Sequence, residues 1–278
     1  METYGDDWES LFYGFEHRPL AAASIGQVHR ATSPDGRDIV LKVQYPGVAT
    51  SINSDVDNIA SLLKLSGLLP AELNIQPLLE DAKAQLHDEA DYNREAEFLA
   101  AFGDLLADDE RFLVPQVLPD LTRKTVLAMT YAAGRPIETI AELEQEERDR
   151  VMSALVELMF RELFELRMVQ TDPNFANYQY NSATGTIVLL DFGATRRFKA
   201  SFVNAYRSLA KAAIAGNEKR LIAAAEKVGY AMGDEDSDYR ALVLKLFMLA
   251  LEPLQVDAPY DFARSDIAAE MSALGEEV

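Results

Sequence analysis

The chain has 278 residues, 49% of them hydrophobic, so it is long enough for two lobes with their own cores and too apolar to stay disordered. Its 26 basic and 46 acidic residues leave a net charge of −20, which argues against nucleic acid as a partner because a phosphate backbone would be repelled over most of the surface. The lack of cysteine removes disulfides, zinc–thiolate sites and thiol catalysis together.

Met1 to Ser10 is acidic and shows neither the apolar core of a signal peptide nor a transit helix. Pro19 to Ala31 then reads as strand, small-residue turn and strand. A turn at Ser33-Pro34-Asp35-Gly36 leads into the strand Asp38 to Gln44, which carries Lys42 among apolar neighbours. Residues 51–69 keep a helical 3-to-4 spacing of Ile52, Val56, Ile59 and Leu62, and Pro70 punctuates the chain. From Pro77 to about Phe102 the pattern predicts one long helix, with proline in its first turn and Gly103 just past its end.

Val114–Val117 and Thr125–Met129 read as strands completing the first sheet, and Ala132 to Pro136 is the hinge candidate. A helix is expected from Ile140 to Val169. Thr186 to Leu190 is a buried strand of a short hairpin, and helices follow over Phe202–Ala215, Glu218–Val228 and Asp238–Leu251. The most apolar run, Leu242 to Leu251, is too short to span a bilayer, which needs about 20 residues. A peripheral membrane contact stays open.

The chemistry concentrates after the hinge. Asp172 and Asn177 form a D-x-x-x-x-N loop, and Asp191-Phe192-Gly193 follows across the hairpin. Kinase-like phosphotransferases place a catalytic carboxylate and two metal ligands in this way, and an amide and a carboxylate are the hard oxygen donors that Mg²⁺ prefers. Lys42 alone reads equally well as an edge-strand lysine with a packed stem. With Asp172, Asn177 and Asp191 downstream in the kinase order, a lysine gripping nucleotide phosphates is the better reading. Acidic side chains on a helix are ordinarily solvated, but Glu95 is the candidate ion-pair partner of Lys42. On one continuous helix Asp91 and Glu95 would share a face, with Glu89 turned about 120° away.

Ala21-Ala22-Ala23-Ser24-Ile25-Gly26 stands where kinases carry a glycine-rich lid, and alanine disfavours the positive-φ conformations glycine allows, so this lid is expected to be stiffer. Asn174 occupies a place where protein kinases usually have lysine, leaving Arg196 or Arg197 as candidate counter-charges. His17, His29 and His87 are scattered and receive no role. The D-F-G runs almost directly into the next helix, leaving no room for the activation segment of a peptide kinase.

Together these stretches resemble the UbiB/ADCK family of atypical kinases, ubiquinone-biosynthesis branch. The likeness is carried by Pro19 to His29, Lys42 to Val48, Ser51 to Val56, Glu89 to Tyr92, Gln170 to Asn174 and Leu190 to Arg196. It implies an α+β, protein-kinase-like two-lobe fold, with a small antiparallel-sheet N-lobe and inserted helices over 1–131 and a helical C-lobe over 132–278. It also implies an ATPase that binds ATP or ADP with Mg²⁺ and supports coenzyme Q synthesis at a membrane, with ubiquinone-biosynthesis proteins and lipid or quinone intermediates as partners.

By position, Asp172, Lys42 and Glu95 would be catalytic. Ala21, Ala22, Ala23, Ser24, Ile25, Gly26, Val28 and Lys42 would bind nucleotide, and Asn177 with Asp191 would hold the metal. Glu89 and Asp91 would be the family's regulatory E-x-D pair. The family's K-x-G-Q motif is absent from this chain, which removes the normal partner of Glu89. The chain is therefore expected to be a fragment of a longer protein or a short form with an open pocket. A lipid or prenylated-ring kinase and a non-catalytic nucleotide-binding scaffold are the alternatives. The acidic composition points to a bacterial cytoplasmic protein, with a mitochondrial origin as the other reading.

Overall fold

The computed structural model describes residues 3–66, 75–230 and 238–276. The expected end of the first helix at 67–69 and the break at Pro70 lie outside them. The chain divides into two compact units, one of residues 1–158 with 169–196 and one of 159–168 with 197–278.

In the first unit, β1 (Gly14–Phe15), β2 (Ala21–Ala23), β3 (Gly26–Thr32) and β4 (Asp38–Gln44) precede the helices α1 (Val48–Ser66), α2 (Gln76–Glu89) and α3 (Tyr92–Leu105). Along the chain then come β5 (Phe112–Leu113), β6 (Val126–Thr130), β7 (Arg135–Pro136), α4 (Gln145–Arg161), β8 (Met168–Gln170), β9 (Tyr178–Asn181), β10 (Thr186–Leu189) and β11 (Thr195–Arg197), with 159–161 of α4, Met168 of β8 and Arg197 of β11 counted in the second unit. The first sheet is antiparallel in the order β1-β3-β4-β6, with β2 paired to β3. β4 is thus an inner strand. Alternation along it sends Ile39 and Leu41 into a cluster with Phe12, Ala31, Leu118, Val126 and Ala128, and sends Lys42 to the other face. A second sheet runs β5-β10-β9-β7, in which β9 and β10 form the hairpin after the Asp172–Asn177 loop.

Three expectations fail. The long helix is two helices, broken at Ala90–Asp91. Ala90 caps the end of α2, and Asp91 leaves helical geometry at φ −104°, ψ 93° to cap the start of α3, its side chain accepting the Asn93 N–H. Asp91 and Glu95 therefore do not share a helix face, and Gly103 lies inside α3 instead of beyond its end. The predicted strand at Val114–Val117 is also displaced. Pro115 cannot donate to a ladder, and the pairing falls on Phe112–Leu113, parallel to β10 in the second sheet, while Val117 keeps only an isolated bridge to Met129.

The helix expected over 140–169 is three pieces: a 3₁₀ stretch Ile137–Glu142, α4, and a π turn Glu162–Leu166 that ends at Arg167 with φ 54°. Apolar periodicity continues across these changes of helix type and so conceals them.

The second unit holds α5 (Ala200–Ile214), α6 (Glu218–Val228), α7 (Asp238–Ala250) and α8 (Ile267–Glu276). Leu209, Ala212 and Ala213 of α5 pack on Leu221, Ala224 and Ala225 of α6 and Val243 of α7. The facing alanines let the helix backbones approach closely. The predicted spans of α5 to α7 agree with these to within two residues. The overall class, α+β with an antiparallel sheet first and helices later, is the one expected.

Candidate functional site

Lys42 lies in the β4 register opposite Val28 on one side and Leu127 on the other, and Val28 in turn lies opposite Ala21. Directly opposed residues of antiparallel strands share a face, so Ala21, Val28, Lys42 and Leu127 form one row facing α3. The Lys42 ammonium is buried and commits all three N–H groups: to Glu95 Oε1 at 2.9 Å, to Glu95 Oε2 at 3.1 Å and to Asp191 Oδ2 at 2.9 Å. The β4 strand supplies the cation, α3 one carboxylate, and the loop after β10 the other. The edge-strand reading of Lys42 is excluded.

Burial weakens the Lys42 ammonium, but Glu95 and Asp191 beside it more than offset this and hold it above the ordinary lysine range. Burial pushes the Glu95 carboxyl up, to about 7, against the pull of Lys42 and of the Phe192 N–H; the Asp191 charge adds to the rise. Two carboxylates compete for one ammonium, and the more deeply buried one yields.

Asp191 is fixed from within its own loop, where Oδ1 accepts the Gly193 N–H at 2.9 Å. Phe192 is buried and packs on Phe102 of α3 with ring centroids 4.8 Å apart. Arg94, one residue before Glu95, donates to the carbonyls of Gly193 at 2.8 Å and Thr195 at 2.6 Å. α3 thus grips the D-F-G loop by an aromatic contact, two hydrogen bonds and the shared lysine.

On the other side of the hairpin, Leu190 N–H donates to the Asn177 carbonyl at 3.0 Å, which extends the β9–β10 ladder by one step. Asn177 and Asp191 therefore stand at the same end of that hairpin. The Asn177 side chain donates its NH₂ to the Asp172 carbonyl at 3.1 Å. Asp172 itself is exposed.

Two residues of this loop had drawn no role from sequence. Gln170 accepts the Asp172 N–H with its side-chain oxygen and donates to the Asp191 carbonyl at 3.4 Å, tying the two aspartate backbones together. Asn174 caps the short turn Phe175–Asn177 by accepting the Ala176 N–H at 3.0 Å. Its place in the motif is explained by the turn, for which asparagine is a common choice. Tyr92 was missed as well. It is fully buried, its ring lies 5.3 Å from the Lys42 ammonium, and its hydroxyl and Thr195 Oγ1 are the buried side-chain atoms without a hydrogen-bond partner among the described residues.

In the alanine-rich segment, Ala21 to Ala23 are strand β2 and only Ser24-Ile25 turn the chain, with no positive φ. Gly26 is required on space alone: a Cβ there would meet the Val43 carbonyl oxygen at 2.2 Å. Ser24 donates to Glu89 at the end of α2. Glu89 and Asp91 thus face different tasks, one meeting the lid and the other capping α3. Arg196 is exposed and bonds Gln85 at 3.3 Å. His29 stacks on Phe15, and His87 bonds Asn53; neither joins the site.

Residues 1–225 match the family model of the ABC1 atypical kinase-like domain. The rat atypical kinase COQ8B, mitochondrial, is 39% identical over 273 residues, covering 98% of this chain and 52% of its own length. The Saccharomyces cerevisiae atypical kinase COQ8, mitochondrial, is 38% identical over 260 residues, covering 93% and 52%. For coq-8 of Caenorhabditis elegans the identity is 36%, with 98% of this chain and 37% of the relative covered. The chain thus spans about half, or less, of the curated relatives it matches. The erythromycin complex of Rv3197 from Mycobacterium tuberculosis superposes with a TM-score of 0.73 at 27% identity, over 92% of this chain and 64% of that one. The fold is kinase-like, and the chain belongs to the ABC1 atypical kinase-like (UbiB) family.

Proposed function

We propose that this chain is the catalytic part of a magnesium-dependent, kinase-like ATPase that supports ubiquinone biosynthesis. The observation that carries the reading is the buried Lys42 held between Glu95 and Asp191, with Asn177 at the Asp191 end of the hairpin. We take 1–131 as the N-lobe and 132–278 as the C-lobe. The row Ala21–Val28–Lys42 would form the nucleotide's roof, with the Ala22 to Gly26 hairpin over its phosphates. Lys42 would turn its third N–H from Asp191 to a phosphate oxygen.

The donor set fits a hard cation. Asn177 offers an amide oxygen, and each Asp191 carboxylate oxygen keeps a lone pair beyond its present bond. Bound there, Mg²⁺ would neutralise phosphate charge that a chain of net charge −20 otherwise repels. Asp172, exposed and held through its backbone by Gln170 and Asn177, would orient the attacking water or hydroxyl and accept its proton.

Only six residues, 194–199, separate the D-F-G from α5, which favours a small acceptor or water over a peptide. Ubiquinone-biosynthesis proteins and lipid or quinone intermediates are the partners this reading implies. Among the described residues no helix is long and apolar enough to cross a membrane.

The test is turnover of Mg-ATP by the wild type and Asp172→Asn. Loss of a positioned base should lower turnover by about a hundredfold to ten-thousandfold while ADP binding persists. Unchanged turnover, or quinone synthesis complemented equally by both proteins, would favour the non-catalytic scaffold. A phosphorylated lipid or ring among the products would favour the small-molecule kinase.

A further inference from the structure

The face of the first sheet opposite Lys42 carries a second cavity, of about 460 Å³. Leu41 and Val43 form its floor, and the N-terminal segment folds Tyr4, Trp8, Phe12 and Phe15 over it. The rings pack edge to face, with Trp8 and Phe15 centroids 4.9 Å apart and Tyr4 and Phe12 centroids 6.2 Å apart, a geometry that also receives a further flat ring. In a chain that is 26% charged, no Asp, Glu, Lys, Arg or His among the described residues lines this cavity.

Apart from the Trp8 N–H and the hydroxyl of half-exposed Tyr45, its polar side chains are already engaged, and Gln44 donates to the Ala90 carbonyl at 2.7 Å. Thr3 and Thr125 bond each other at 2.8 Å, Thr50 donates to the Gly47 carbonyl at 2.7 Å, and the Tyr4 hydroxyl donates to the Leu121 carbonyl. A ligand bearing charge or several hydroxyl groups would leave them unpaired there. The volume lies in the range of small-molecule sites, which are mostly apolar with few polar groups.

We propose that this cavity is a binding site for a neutral, planar, apolar molecule of about two fused rings. The site is separate from the nucleotide reading and does not depend on it. Because β4 supplies both the cavity floor and Lys42, its ligand would stiffen the strand that presents the lysine.

Trp8 is the one tryptophan of the chain, so tryptophan emission reports on this cavity alone. The experiment titrates 1-bromonaphthalene, whose bromine quenches on contact, into the wild type and into Ala49→Phe and Thr50→Phe, which fill the cavity from its rim. Saturable quenching in the wild type, with an apparent Kd raised at least about tenfold in a variant of unchanged melting temperature, is the expected result. Thr50 is exposed, so its variant keeps the test valid should Ala49→Phe fail to fold. Quenching that rises linearly without saturation, or saturates equally in wild type and folded variants, would overturn the proposal.

Discussion

A buried ammonium between two carboxylates sets the properties of the site residue by residue. With its folded pKa near 7 and an ordinary value of 4.5, Glu95 binds more protons in the folded state than in the unfolded one across that window. Its contribution to stability is therefore full below about pH 4.5 and is lost as pH rises through about 7. Lys42→Met should sharpen this behaviour. Without the ammonium's pull Glu95 rises further, and at pH 8 holding it ionised or protonating it costs up to about 3–5 kcal/mol. At pH 6 the stranded Glu95 takes up a proton, and the cost should be clearly smaller. Urea unfolding at both pH values decides the matter, and an equal cost at each would mean that Glu95 does not titrate as described. Tyr92 packs against the same ammonium and is buried with its hydroxyl unpartnered. Nothing in the sequence around it marks that burial, because a tyrosine in a helix's first turn is ordinarily half-exposed.

At the scale of elements, the joint between α2 and α3 seats Glu95. Asp91 caps α3, and the cap sets the direction in which the helix presents Glu95 to Lys42 four residues later. Asp91→Ala should cost about 0.5–2 kcal/mol in urea unfolding, while Asp91→Asn, which can still accept the Asn93 N–H, should cost little. If asparagine proves as damaging as alanine, the charge of Asp91 and not its cap is what matters.

This joint was the main feature the sequence concealed. Residues 76–105 favour helix throughout, with no proline after Pro77 in the first turn, and the break rests on one aspartate that reads equally well as a solvated helix residue. Strands β2, β3, β4 and β6 of the first sheet were legible because β-branched runs, the turn at Gly36 and the outlier Lys42 all point the same way, whereas β1 was not; Gly36 does take φ +85°. Helices α5, α6 and α7 of the second unit were legible from clean 3.6-residue periodicity, whereas α8 was not predicted. β5 was not, since two residues in a parallel pairing give no period to read. In the candidate site the motif marked the positions of Asp172, Asn177 and Asp191. The bonds that hold them, through Gln170 and Asn174, come from turn geometry that the motif does not encode.

For the whole molecule, the balance is between a net charge of −20 and a candidate site for a polyphosphate. One lysine, already shared by two carboxylates, offers such a ligand little net charge, so the proposed nucleotide would need the cation's charge. Thermal unfolding with ADP, with and without Mg²⁺, on the wild type and on Asp191→Asn tests this most directly. A ligand at about 100 times its Kd that binds only the folded state adds about 2.7 kcal/mol. We expect a rise in Tm of wild type that needs both ADP and Mg²⁺ and disappears in a folded Asp191→Asn. A wild type whose Tm does not move, or a shift that survives unchanged in Asp191→Asn, would contradict the placement of the nucleotide at Lys42 and Asp191.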